Sequence, residues 1–335
     1  MKKNLKDIAI VGGGPTGLFG AFYSGMRGLS TSIIDSLPDL GGQLAALYPE
    51  KYIYDVGGIP KILAKDLARD MVEQGLQFGA EVFLDQPITE LIQDGDNFLL
   101  RGPDAEFLSR SVLITGGKGA FEPRHLDCPG YNKFLGKGVQ YMVKDPKQLA
   151  NKKVLIVGGG DSALDWVLAL KDRAEEMTLI HRRADFRAHE DSVNKLQAAV
   201  YSEEVKLRTF HEVREIMGEK TVEKVTIFDN KSNQDFTFDV DIVICLLGFK
   251  PDLGPIKSWG LAVERNRLMV DSLMMTSQSG VFAAGDLVSY EGKLDLIATG
   301  FSEAAIAVNN IVRYLDPEAR VNPGHSTNLK IFKDR

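Results

Sequence analysis

Two stretches of this sequence follow one plan, and the plan fixes much of what the chain can fold into. IAIVGGGPTGLFGAFYSGMRGLSTSIID (Ile8 to Asp35) and VLIVGGGDSALDWVLALKDRAEEMTLIH (Val154 to His181) each read as an apolar run, a glycine turn, a helical pattern and a second apolar strand. This is one βαβ unit present twice. Gly12, Gly14 and Gly17 supply G-x-G-x-x-G in the first copy, and Gly158, Gly160 and Ala163 supply G-x-G-x-x-A in the second. The interval from Gly12 to Asp35 equals that from Gly158 to His181, so the two strand ends occupy the same place in their units. A single such turn is weak evidence, whereas two with matched distal positions are strong.

The chemistry behind the glycines is backbone access. A turn without side chains lets a pyrophosphate approach main-chain N–H groups at the start of the following helix, where orphan donors and the helix dipole favour anions. Asp161 and Ser162 open the helix of the second copy. The strand ends then differ in charge. Asp35 is placed to accept hydrogen bonds from ribose hydroxyls, as suits a bare adenosine ribose. His181, Arg182 and Arg183 remove that acid and offer positive charge where a 2′-phosphate would lie, with Arg187 as a further contact. The second unit is therefore expected to prefer NADPH to NADH. Two charge-assisted contacts of about 1.5–3 kcal/mol each would give a preference on the order of a hundredfold or more.

Other segments set the domain plan. SRSVLITGGKGAFEPR (Ser109 to Arg124) reads as a buried strand closed by glycines and followed by an exit, and VDIVICLLGFKPD (Val240 to Asp252) as the matching re-entry. The second unit is then an insertion, residues 119–248, between parts of a first domain at 1–118 and 249–335. The fold class expected is α/β, with two Rossmann-like dinucleotide-binding domains, one inserted into the other. Within SGVFAAGDLVSYEGKLDLIATGFSEAAIAVNNIVRYL, the pair Gly285–Asp286 and the helix after it suit phosphate and ribitol contacts.

Composition narrows the function. At 335 residues, 44% hydrophobic and 26% charged, the chain is long enough for more than one core. A formal charge of −6 argues against a nucleic-acid binder, which needs a dense basic face. Cys128 and Cys245 lie far apart and form no Cys-x-x-Cys, and the histidines have no metal spacing, so no metal site is expected. No run of 18 apolar residues occurs, and the start passes from a short basic lead into a strand. A soluble, cytoplasmic protein without membrane association is expected.

The ordered set GGGPTG, GGQL, GGGDSA, HRR, G-x-x-P and FAAGD resembles the thioredoxin-reductase-like flavoproteins over essentially the whole chain. In that group the first unit holds FAD and the inserted unit NADPH. One departure decides the function. Thioredoxin reductases carry a Cys-x-x-Cys just before the second nucleotide strand, and the corresponding GVQYMVKDPKQL (Gly138 to Leu149) has no cysteine, which excludes disulfide reduction through an internal dithiol. The details LYPEKYIYDVGG, FRAHEDSV and a C-terminal GHSTN resemble the ferredoxin (flavodoxin)–NADP reductases of the thioredoxin-reductase-like type.

That resemblance implies an oxidoreductase in which NADPH gives a hydride to flavin and electrons pass singly to ferredoxin or flavodoxin. It implies that Tyr48 stacks on one face of the flavin and that His325 of a partner subunit covers the other, hence a homodimer. Thr16, Asp35, Gln43, Leu44, Ile88, Phe121, Asp286 and Thr327 match positions used around FAD. No side chain is expected to act as general acid, base or nucleophile, because the cofactors carry the chemistry. Two alternatives stay open from the residues alone: an NADPH-dependent flavin enzyme reducing a quinone, oxygen or a separate dithiol protein, and a non-catalytic nucleotide sensor.

Overall fold

The two apolar runs become the central strands of two parallel sheets. The computed structural model describes residues 4–328 apart from 50, 118, 120, 121, 142, 144, 145, 251 and 323. It separates into two units, Met1–Phe121 with Pro251–Arg335, and Glu122–Lys250. The boundaries expected from the sequence were 118/119 and 248/249.

In the first unit the strands run in the spatial order Val281–Ala283, Val112–Ile114, Ile8–Val11, Thr31–Ile34 and Glu81–Phe83, every pair parallel. Alternate residues of one strand feed opposite faces. Ile8 and Ile10 pack with Leu18, Met71, Val308 and Ile311 of the helices Pro15–Met26, Ala64–Leu76 and Ile297–Leu315. Ala9, Val112 and Ile114 pack with Phe98 and Leu100 of an antiparallel meander, Glu90–Asp94, Asn97–Arg101 and Glu106–Ser109. A sheet covered on both sides explains why its strands read as continuous apolar runs rather than as alternating ones.

The second unit repeats the plan. Its strands lie in the order Val139–Gln140, Ile242–Leu246, Lys153–Gly158, Glu176–His181 and Lys206–Thr209, again all parallel. One face carries the helices Asp161–Leu170 and Glu190–Tyr201, with Ile156, Leu164, Val167 and Leu196 at zero exposure. The other face carries a second meander, His211–Met217, Lys224–Asp229 and Asp235–Asp239. Pairing Ile8 with Thr31 and Lys153 with Glu176 puts Asp35 and His181 just past or at the carboxyl ends of corresponding strands. In open parallel sheets that edge is where ligands bind.

Candidate functional site

The first glycine turn is built for close approach. Gly12 has φ +111°, and a Cβ there would lie 2.6 Å from the carbonyl oxygen of Thr115 on the neighbouring strand. A Cβ on Gly17 would fall 1.9 Å from the Gly12 carbonyl oxygen. Only glycine lets the helix seat against the turn. That helix starts at Pro15, its N-cap Gly14 makes no side-chain cap, and its first turn holds no acid. Its leading amides are thus left for an external anion.

These atoms line a cavity of about 400 Å³ within the first unit. Gly12, Gly14 and Thr16 form part of its wall, with Asp35 just past a strand, Gln43 and Leu44 from the short helix Gln43–Ala46, and Tyr48, Ile88 and Asp286 from connecting segments. Gly17 and Gly285 are buried directly behind it. The Asp35 carboxylate is 6% exposed, accepting the Gly13 N–H at 2.5 Å on Oδ2 and the Leu37 N–H at 2.8 Å on Oδ1. Burial pushes its pKa above the ordinary 3.8, opposed by the amides of Leu37, Gly13 and Ser36. Tyr48 is held as the neutral phenol: burial, then Asp286 and Asp55, push its pKa up to about 12.

Three of the expected positions are not part of this lining. Phe121 lies outside the described residues. His325 and Thr327 are exposed, and neither lines the cavity of its own chain. Conversely, sequence reasoning missed Gln86, Thr115, Ile256 and Trp259, all of which line it. Gln86 lines the cavity next to Asp35, and its Oε1 is buried without a hydrogen-bond partner among the described residues. An orphaned acceptor, a buried acid, an uncapped helix and a neutral aromatic ring suit a ligand with hydroxyls, a pyrophosphate and a flat ring. FAD is such a ligand.

In the second unit Gly158 ends the central strand, Gly160 is the N-cap, and Asp161, Ser162 and Ala163 open the helix. The segment after His181 folds back over this turn. The Arg187 N–H donates to Gly159 O at 2.7 Å, and the His189 N–H to Asp161 Oδ1 at 2.9 Å. His181 stacks on Phe186 with ring centroids 5.2 Å apart. Burial, and after it the charges of Arg182, Arg183 and Arg187, push its pKa below 6.5, against a raising contact with Asp185 O. His181 is therefore neutral at pH 7, and the positive charge of this edge comes from the arginines. Arg182, Arg183 and Arg187 are exposed and form no ion pair among the described residues.

Among the described residues no cluster of His, Cys, Asp or Glu is suited to a metal, and no helix is long and apolar enough to cross a membrane.

Comparison with known proteins gives these features a setting. Residues 6–308 match the family model described as pyridine nucleotide-disulphide oxidoreductase. A ferredoxin–NADP reductase of Halalkalibacterium halodurans is 49% identical over 330 residues, 98% of this chain and 99% of that one. The Thermus thermophilus ferredoxin–NADP reductase is 48% identical over 322 residues, covering 96% of both chains, and ferredoxin–NADP reductase 2 of Bacillus subtilis is 47% identical over 324 residues, again 96% of both. Among solved structures, Lactococcus lactis thioredoxin reductase superposes with a TM-score of 0.76 at 26% identity, covering 92% of this chain and 99% of that one. The T. acidophilum thioredoxin reductase, at 24% identity and a TM-score of 0.77 over 94% and 99% of the two chains, shares the fold. The expected fold class is that of these neighbours.

Proposed function

The chain belongs to the pyridine nucleotide-disulphide oxidoreductase family, and we propose that its first-unit cavity holds FAD while the glycine turn and arginines of the inserted unit hold NADPH. It is an FAD-dependent oxidoreductase that transfers electrons between NADPH and ferredoxin, a function supported by near full-length similarity to reductases of that name. The observation that carries the cofactor assignment is the contrast of edges: a buried acceptor acid, Asp35, at one strand end and, just past the equivalent end of the other, exposed arginines without an ion pair among the described residues. When bound, FAD supplies hydride acceptance from NADPH and one-electron delivery to the acceptor.

The chain's own residues bind, orient and stack. The uncapped helix Pro15–Met26 receives a pyrophosphate at its leading amides, while the Gly12 and Gly13 N–H groups are already held by Ile34 O and Asp35 Oδ2. Asp35 and Gln86 accept hydrogen bonds from the adenosine end, and Asp286 from the ribityl chain. Tyr48, neutral at any working pH, offers an apolar platform to one flavin face. Thr16, Gln43, Leu44, Ile88 and Phe121 are further positions that the resemblance matches to FAD. Arg182, Arg183 and Arg187 hold the 2′-phosphate, with His181 giving a neutral ring beside Gly159.

The finer points follow the same reading. A homodimer in which His325 reaches the partner's flavin is supported by its exposure and by its not lining the cavity of its own chain. Flavodoxin is a second acceptor of the same one-electron class. A cytoplasmic setting fits two unpaired thiols, Cys128 and Cys245. The test is to purify the protein, record its absorbance and compare NADPH with NADH in ferredoxin reduction. A colourless protein that takes up no flavin would remove the reading.

A further inference from the structure

Glu303 has no place in the cavity wall, yet it is 2% exposed within the helix Ile297–Leu315. Among the described residues it and Asp35 are the two acids of the buried interior. A carboxylate that deep is stable only when paired and hydrogen-bonded. Three donors meet it. Oε1 accepts the Tyr290 hydroxyl and the Lys293 ammonium, each at 2.6 Å, and Oε2 accepts the Gly285 N–H at 2.7 Å. The Lys293 side chain is itself only 5% exposed.

The third donor is the informative one. Gly285 has φ +91°, and a Cβ there would lie 2.9 Å from Thr16 Oγ1, so the turn is bounded by Glu303 through its amide and by Thr16 at its α-carbon. The next residue, Asp286, turns into the cavity, with Oδ2 3.4 Å from Gln43 Nε2 as donor. Glu303 thus grips the backbone one peptide away from the cavity's loop carboxylate. The loop between Tyr290 and the helix is fixed a second time where Arg267 forks onto Asp295, both bonds 2.7 Å. Asp295, Leu296 and Ile297 line the same cavity.

We propose that Glu303, clamped by Lys293 and Tyr290, is a positioning residue for the flavin site: by holding the Gly285 amide it fixes the turn that aims the Asp286 carboxylate at the ligand. The inference rests on the reading of the cavity as the FAD site. A role as mere interior glue would destabilise the unit when removed without acting through Asp286. The two roles separate in a double-mutant cycle.

The experiment titrates FAD into apoprotein and follows flavin fluorescence for wild type, Glu303→Gln, Asp286→Asn and the double variant, with melting of each apoprotein alongside. Each single change is expected to weaken FAD binding about tenfold, and the double variant to bind within about twofold of the weaker single, because both losses are one lost contact. Losses that multiply to about a hundredfold, or Glu303→Gln binding FAD as wild type does while only melting earlier, would overturn the proposal. If Glu303→Gln does not fold, Tyr290→Phe keeps the pair with Lys293 and removes one bond: a loss of about threefold that vanishes in the Asp286→Asn background supports the proposal, and one that persists there overturns it. Wild-type apoprotein taking up no FAD would instead overturn the flavin reading, and this inference with it.

Discussion

At the scale of single residues the account turns on charges. Arg182 directly follows His181, the counterpart of Asp35, and is exposed and without an ion pair among the described residues. Arg182→Glu is expected to raise the KM for NADPH by about ten- to a hundredfold and leave that for NADH within about threefold, since only NADPH carries the 2′-phosphate. Steady-state kinetics with both nucleotides checks this. Asp35 gives a pH prediction. Its pKa is raised by burial, so the folded apoprotein binds that proton more tightly than the unfolded chain. Its contribution to stability is full below the ordinary value of 3.8 and is lost as pH rises through the raised folded value. Asp35→Asn removes that loss. The stability of wild type minus that of the variant should therefore fall across this window in urea unfolding, while the variant binds FAD more weakly. A difference that is flat with pH would count against a desolvated carboxylate at this place.

At the scale of elements, the two glycine turns are not interchangeable. Gly17 has no room for a methyl group against the Gly12 carbonyl, whereas its counterpart, Ala163, already carries one and is fully buried. Gly17→Ala should abolish FAD uptake and cost several kcal/mol, on the order of overpacking a tight core. Ala163→Gly should cost about 1 kcal/mol, the ordinary helix penalty, and keep NADPH use. Thermal melting and FAD content separate the two. These turns were legible in sequence because a strand, a glycine turn and a helix are contiguous and their spacing is stereochemical. The apolar strands were legible for a related reason, since a sheet covered on both faces leaves no polar alternation. The meanders behind each sheet were not foreseen, because short half-buried strands such as Glu90–Asp94 carry little pattern of their own. Gln86, Ile256 and Trp259 escaped notice because they reach the cavity through tertiary packing from segments without a motif. Glu303 was hidden for the opposite reason: one acid in a small-residue helix looks like a solvated face until its three donors are seen.

At the scale of the whole molecule, function rests on two nucleotide units in one chain and an acceptor that docks from outside. The chain is acidic overall, at −6, and ferredoxins are typically acidic as well, so docking must use local lysines and arginines. Raising ionic strength from about 0.02 to 0.5 M is expected to raise the KM for ferredoxin several-fold, because screening shortens the reach of those charges. The NADPH-driven reduction of a small uncharged acceptor should change little. The most direct test of the central claim, flavin at the acidic edge and NADPH at the arginine edge, is ferredoxin reduction by the purified protein with each nicotinamide. The account predicts a yellow protein that uses NADPH about a hundredfold better than NADH in kcat/KM and loses that preference with Arg182→Glu. Equal use of the two nucleotides by the wild type, or a preference untouched by Arg182→Glu, would contradict it.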